Sequence, residues 1–550
     1  MAILKLLILV ALACVGADDC VCDVDAKYRT IDGSCNNLKN GKGASNTFFK
    51  RLPDENENNV IDYADGIGLP RAAKNGDELP NARLVSQAIM DEKLGPPIQR
   101  DRTSRDFCFP LEIPKNDTDL PPGCINFVRA TGKLDEEGVR QQTNLATAFV
   151  DASVVYGSTP ELTKLLRVPD SYLLKTENNL LPTPAGVNSC FDPVIPTRCP
   201  VAGDSRVAEV PMLSVQHLAW HREHNRIASE LRTLNPHWKD ETVFQEARKI
   251  VIAIFQHITF NDFLPLILGQ AAMKRFKLFS RDVNEGVFSD PYDVDMNPQV
   301  LGSVNVAAHR FGHSQVTNEQ NFVDEDCNTV TVNKLEDVFE SPRLIQQNCG
   351  VNIPFIGRNL ACTASNRIDN FFVDAMRNRL YRKPEPPGSD IVARNIQRGR
   401  DFGVAGYNRW RELCLLEPMK SFDSFEKFGK ALKELYNDID DIDLFVGGLL
   451  EKEMGFNVGP TFQCLLGFQY ERMKQGDRFW YERPNQVFSF SEKQLRSIKE
   501  NASVSKIFCR NLGIEKIQEN MFLLHQSKRN KRVACNDIPD IDLTLWQEHY

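Results

Sequence analysis

Beyond residue 140, apolar residues recur three and four apart over 210–233, 239–268, 303–316, 368–380, 405–415 and 425–437, the spacing of amphipathic helices. The two-residue alternation of a half-buried strand is scarce and short, with TVTVNKL at 329–335 its clearest case. This imbalance confines the chain to a mainly α fold with little β. At 550 residues several domains would be ordinary, yet no Gly/Ser- or Pro-rich linker interrupts the pattern, so a single large helical domain is expected. No repeat period points to a solenoid or propeller. The net charge of −8 carries no basic block, which argues against nucleic acid as a partner.

The N-terminal part reads differently. Residues 1–17, MAILKLLILVALACVGA, have an early lysine, a short apolar run and small residues at the end, the pattern of a secretory signal peptide, leaving 18–550 as the domain. Residues 18–105 are polar and turn-rich, with an acidic run DENENN at 54–59 and one helix expected near 82–92. The segment 106–124 holds four prolines and reads as loop. The apolar run 251–269 is broken by Gln256, His257, Asn261 and Asp262, which suits a buried helix better than a membrane span. A secreted, extracellular product without a membrane span is therefore expected. One of the 15 cysteines, Cys14, sits in the leader, and the others suit an oxidising compartment, although sequence does not fix their pairing. Two glycosylation sequons, Asn116 and Asn501, are compatible with that route.

Within 303–316, SVNVAAHRFGHSQV, His309 and His313 stand one turn apart and would share a helix face. A lone histidine on such a helix is ordinarily a satisfied core residue. The company it keeps changes that reading: GDSRVAEVPMLSVQHLAWHREHNRIASEL (203–231), TAFVDASVVYGS (147–158) and ARNIQRGRDFGVAGYNRWRELC (393–414). Together, from about Tyr28 to Cys535, these four segments resemble the animal-type haem peroxidases, the secreted and chorion-type arthropod members above all.

The resemblance implies a haem b cofactor, with calcium beside it. His313 would be the proximal ligand of the haem iron, leaving the other face open to peroxide. Asn395 would orient and tune that ring, and Arg310 and Arg398 would hold the propionates, for which a planar guanidinium is suited. Arg206 would be the distal arginine that polarises bound peroxide, and Glu209 the carboxylate that forms an ester with a haem methyl. Thr147, the Phe149 carbonyl, Asp151 and Ser153 would form a calcium loop, since a hard cation takes six to eight oxygens. Phe402 stands where the family's motif has histidine. The disulfides implied are Cys190–Cys199, Cys414–Cys464, Cys509–Cys535 and Cys108–Cys124, with Cys20 or Cys22 joined to Cys35. Cys327, Cys349 and Cys362 stay open. His217, His221 and His224 have a spacing that can gather zinc, but no HExxH is present and HREHNRIA belongs to the resembling motif.

One feature of the family is missing. None of the nine histidines precedes His217, whereas the family's distal histidine lies upstream of its calcium loop, in a segment like QWGQFLDHDL. Here 85–97 runs straight into 98–110, as though a helix were excised near 95–100. The same segment carries the family's second ester carboxylate and an aspartate of the calcium site, so calcium binding should be weakened. The reading is a secreted peroxidase using hydrogen peroxide to oxidise a halide, thiocyanate or phenolic donor, impaired by that loss. Extracellular matrix, eggshell or cuticle proteins would be fitting partners. The competing reading is an inactive secreted scaffold or adhesion protein with the same fold.

Overall fold

The computed structural model describes residues 22–548 apart from 40, 52–69, 76, 91–108, 186–189, 191–197, 281–283, 285, 383–387, 453–457 and 526–527. The leader, Cys20, Cys108 and the junction at 95–100 therefore lie outside the described residues.

Helices dominate as expected, and the strands are two to five residues long in small antiparallel sheets. The first helix, α1 (Ala82–Ile89), starts where the Asn81 side chain accepts the Arg83 and Leu84 amides, and all of its residues are buried. Its Arg83 is wholly enclosed and paired with Asp117 and Asp390. The centre is a pair of long helices, α2 (Pro211–Leu234) and α3 (Asp240–Ile258). Pro211 occupies the first turn of α2, where its missing N–H costs nothing, and Asp240 and Glu241 favour the positive N-terminus of α3. Leu218, Ile227 and Leu231 meet Val243, Ala247 and Ile250 in one core, all with no exposed surface. Each Leu, Ile and Val side chain among them contributes roughly 1.5–3 kcal/mol on burial.

A π-turn (Thr259–Phe263) joins α3 to α4 (Leu264–Arg275), an irregularity that recurs at functional sites. The span Asp240–Arg275 is long and apolar enough to cross a membrane by length and composition. Its residues Val251 to Ile254, however, are at most 4% exposed inside the protein core.

The expected helix over 303–316 is broken. After α5 (Gly302–Val306), Ala307 leaves helical geometry at φ −130°, ψ −71°, and Ala308–Gln315 continues as a 3-10 turn. With three residues per turn, positions four apart point about 120° away from each other. His309 and His313 thus do not share a face, contrary to the α-helical reading.

Three further elements complete the frame: α6 (Ile391–Asp401), whose Asp390 side chain accepts the Val392 and Ala393 amides, α7 (Pro460–Gln475) and α8 (Val504–Leu512). Over 368–380 only Asp374–Arg377 is helical. The expected loop 106–124 forms a strand at Leu111–Ile113 that pairs with Gly123–Ile125, its prolines confined to the connection and edges. Disulfides join Cys22–Cys35, Cys190–Cys199, Cys327–Cys362, Cys414–Cys464 and Cys509–Cys535. The open choices resolve to Cys22 and to Cys327–Cys362, and Cys349 is an exposed free thiol.

Candidate active site

The break at Ala307 aims His313 at α6. Its Nδ1 lies 2.9 Å from the Asn395 side-chain nitrogen. The Asn395 oxygen accepts from Arg310 at 2.7 Å, and Arg310 also donates to the Asn305 carbonyl at 3.1 Å. Asn395 has no exposed surface. Residues 85 and 82 positions away from it meet at one amide, and only tertiary packing brings them there.

Electrostatics give this cluster its character. Burial, then the charges of Arg310 and Arg206, push the His313 imidazole down to about 3. The ring is neutral at pH 7, the form that ligates a metal. Arg310 is lowered to about 9 by burial and by the neighbouring Arg398 and Arg206 charges. Among the described residues no carboxylate pairs with Arg310, whose partners are two neutral oxygens. A buried cation without a counter-charge is unfavourable, so the cluster is built to receive an anionic group. A haem, with two propionates and an iron for a neutral imidazole, fits it. In the present arrangement the Asn395 amide donates to Nδ1, which leaves the ring proton on Nε2. Iron ligation through Nε2 requires the amide turned over, and Arg310 must release Asn395 for that to happen.

Arg206 and Glu209 do not pair with each other. Arg206 makes a bidentate contact to Asp204, at 2.9 and 2.7 Å, and its side chain is 67% accessible. Glu209 closes the short 3-10 turn Ser205–Ala208 and accepts the Tyr381 hydroxyl at 2.7 Å. Burial raises its carboxyl above the ordinary range despite Tyr381 and Arg206. Arg398 donates to Asp401 at 2.8 Å and lies over the Phe127 ring, 4.1 Å from its centroid. Its charge is therefore already compensated. Phe402 is a buried core residue, edge-on to Phe49.

The loop 147–153 closes on itself: Thr147 donates to Asp151 at 2.7 Å, and the Ser153 amide donates to the other carboxylate oxygen at 3.1 Å. Asp151 is the one carboxylate of that set. One carboxylate is little charge for a hard cation that takes six to eight oxygens. The three histidines of α2 are each separately bonded: His217 to the Val154 carbonyl, His221 to the Lys175 carbonyl, and His224 to Tyr156 and the Tyr172 carbonyl. No trio of metal-ligating side chains gathers among the described residues.

Asp204, Asn305 and Tyr381 belong to the site but carry no mark in the sequence reading. Asp204 was accessible as an N-cap, since it accepts the Arg206 amide two residues on. Tyr381 lies 172 positions from Glu209 and left no local signal.

A family model described as animal haem peroxidase matches residues 28–102 and 93–522, two stretches that meet at the suspected junction. A peroxidase of Drosophila melanogaster is 32% identical over 96% of this chain and 84% of its own length. The myeloperoxidase of Mus musculus is 34% identical over 96% of this chain and 80% of its own. Those alignments run over 591 and 606 residues, longer than the 550 of this chain, so the relatives carry residues without a counterpart here. Among solved structures, peroxidase A of Dictyostelium discoideum superposes with a TM-score of 0.68 at 25% identity, over 88% of this chain and 97% of that one.

Proposed function

Because the chain belongs to the animal haem peroxidase family, we propose that it is a secreted member that binds haem b through His313, is weakened in its use of hydrogen peroxide, and oxidises a small donor. The observation that carries this reading is the neutral His313 beside Asn395 and the uncompensated Arg310. A haem held at His313 would supply the redox chemistry by which hydrogen peroxide oxidises a halide, thiocyanate or phenol.

The chain's own residues have separate tasks. Asn395, turned over, accepts the His313 Nδ1 proton and raises the basicity of the opposite nitrogen. Arg310, freed from Asn395, would pair with a propionate, while Arg398 would have to leave Asp401 to join it. Arg206 places a fixed charge where peroxide would bind, held by Asp204. Glu209, whose carboxyl burial raises above the ordinary range, is placed for an ester link and gives up the Tyr381 hydrogen bond to make it.

The impairment follows from the histidine count. No histidine precedes His217, and His217, His221 and His224 are engaged with backbone carbonyls and Tyr156. General acid–base help in peroxide cleavage is worth roughly 10²–10⁴-fold, and this chain would lack it. The longer relatives and the family match that restarts at 93 support a missing segment there. The loop Thr147–Ser153 would bind calcium weakly, with Asp151 as its main charge.

Haem titration tests the reading. A Soret band with saturable one-to-one binding, abolished in His313→Ala, is expected, together with guaiacol turnover at least a hundredfold below that of a relative with the segment. No Soret band would favour the secreted scaffold instead, and full turnover would refute the impairment.

A further inference from the structure

At one place only among the described residues do three large apolar side chains stand exposed in a row: Phe522, Leu523 and Leu524, at 40%, 43% and 50%. Single exposed apolar residues are ordinary, but a contiguous run marks a contact surface. The three lie in the connection between the paired strands Lys516–Gln518 and Arg532–Ala534. A short basic run that the sequence reading passed over, KRNKR at 528–532, follows in the same connection. Lys528, Arg529 and Lys531 are exposed as well, and Lys528 and Lys531 form no ion pair among the described residues. No aspartate or glutamate stands between Asn520 and Cys535, so this edge of a chain with net charge −8 is locally positive.

The backbone beneath the apolar run is tied from within. Asn530, only 4% exposed, donates its side-chain amide to the carbonyls of Asn520 at 2.8 Å, Leu523 at 2.9 Å and Leu524 at 3.5 Å. Its side-chain oxygen accepts the Asn520 amide at 3.0 Å. The Asn520 side chain in turn accepts the Phe522 amide at 2.9 Å, and the Leu523 amide donates to the Asn520 carbonyl at 3.2 Å. Gln518, buried beside them, also donates to the Leu523 carbonyl. These main-chain groups are satisfied by the protein while the apolar side chains stay outside. That is the condition for a loop to enter an apolar phase, where an unpaired amide or carbonyl is costly.

We infer that this loop docks the protein on a bilayer carrying anionic phospholipid, with Phe522, Leu523 and Leu524 inserted below the headgroups and Lys528, Arg529 and Lys531 among them. Apolar insertion and attraction to anionic lipid add together in such peripheral contacts. A soluble polyanion would meet the cations and leave the apolar side chains in water. A second copy of the chain would cover the apolar run but set its basic residues against like charges, which is repulsive. The contact lies on a membrane and does not span it, and it does not depend on haem.

Flotation of the purified full chain with vesicles of phosphatidylcholine, alone or mixed with phosphatidylserine, tests it. Binding to the mixed vesicles is expected to be about tenfold tighter or better, and to fall at about 1 M salt, where the Debye length is about 3 Å. Lys528→Gln combined with Lys531→Gln should weaken binding to the mixed vesicles about twentyfold and leave phosphatidylcholine binding unchanged. Leu523→Ser combined with Leu524→Ser should weaken binding to both vesicles about tenfold. In Leu523→Trp the new indole should shift its emission to the blue on the mixed vesicles and be quenched by brominated acyl chains. Failure to float with the mixed vesicles would overturn the inference, and so would a double serine variant that binds as well as the wild type. Retention on heparin without vesicle binding would assign the basic run to a polyanion instead. Self-association that the double serine variant loses, again without vesicle binding, would assign the apolar run to a second copy. The two double variants change exposed side chains independently, so the misfolding of one leaves the other as the test.

Discussion

Arg310→Met separates the cost of the site from its use. In the haem-free chain Arg310 is a charge among other charges, lowered from 12.5 to about 9. That difference corresponds to about 5 kcal/mol against folding at neutral pH, reduced to roughly 3 by the guanidinium's partial access to solvent. Methionine keeps the apolar stem but strips a donor from the Asn305 carbonyl and from Asn395, at about 1 kcal/mol each. The haem-free variant should therefore be more stable than the wild type by about 1 kcal/mol at pH 7. Because the folded pKa is depressed, the unfolded wild-type chain holds this proton longer as pH rises. The wild type thus gains stability relative to the variant from about pH 9 upward, by roughly 1 kcal/mol at pH 10. With haem the sign reverses, since a charge-assisted bond to a propionate is lost and affinity should fall ten- to a hundredfold. Urea unfolding at pH 7 and pH 10, paired with Soret titration, reads all three. A haem-free variant clearly less stable than the wild type, with unchanged haem affinity, would refute the reasoning.

Asn395→Leu should cost about 3 kcal/mol of stability, because Arg310 and His313 Nδ1 both lose a buried partner; denaturant midpoints at unchanged slope would show it. Asp443 is shared by Arg71, Arg400 and the Tyr436 hydroxyl, and Asp443→Asn should destabilise the chain by about 3–5 kcal/mol, read in the same way. Its carboxyl is lowered to about 2 despite burial, held down by Arg400 and then Arg71. Its contribution is thus present above about pH 4 and disappears as pH falls through 2, so the wild type should lose its advantage over Asp443→Asn in acid unfolding. Tyr381→Phe frees Glu209 and should raise the fraction of haem that resists acid–acetone extraction after peroxide treatment; an unchanged fraction would mean that the Tyr381 contact does not restrain the ester.

The long helical spacings set the fold class, and they did so because a buried stripe at 3.6-residue period has few other uses. The pairing of α2 with α3, and the burial of 251–269, follow from that stripe. The caps Asn81, Asp390 and Asp204 are likewise local chemistry, each accepting amides two or three residues on. The order of the four motifs likewise grouped His313, Asn395, Arg206 and Glu209 in one expected site, and that no histidine precedes His217 was a matter of counting. What sequence could not supply was direction. Periodicity put His309 and His313 on one face, and the kink at Ala307, set by packing, sent one to Asn395 and the other to Tyr470. The resemblance named Arg206 and Glu209 without their partners, and the fold gave Arg206 to its neighbour Asp204 and Glu209 to Tyr381, whose contact closes over 172 residues. Local energies choose helices and caps. Which side chain meets which across the core depends on the whole chain closing around it, and that is why the Tyr381–Glu209 and Arg310–Asn395 contacts emerged only in three dimensions.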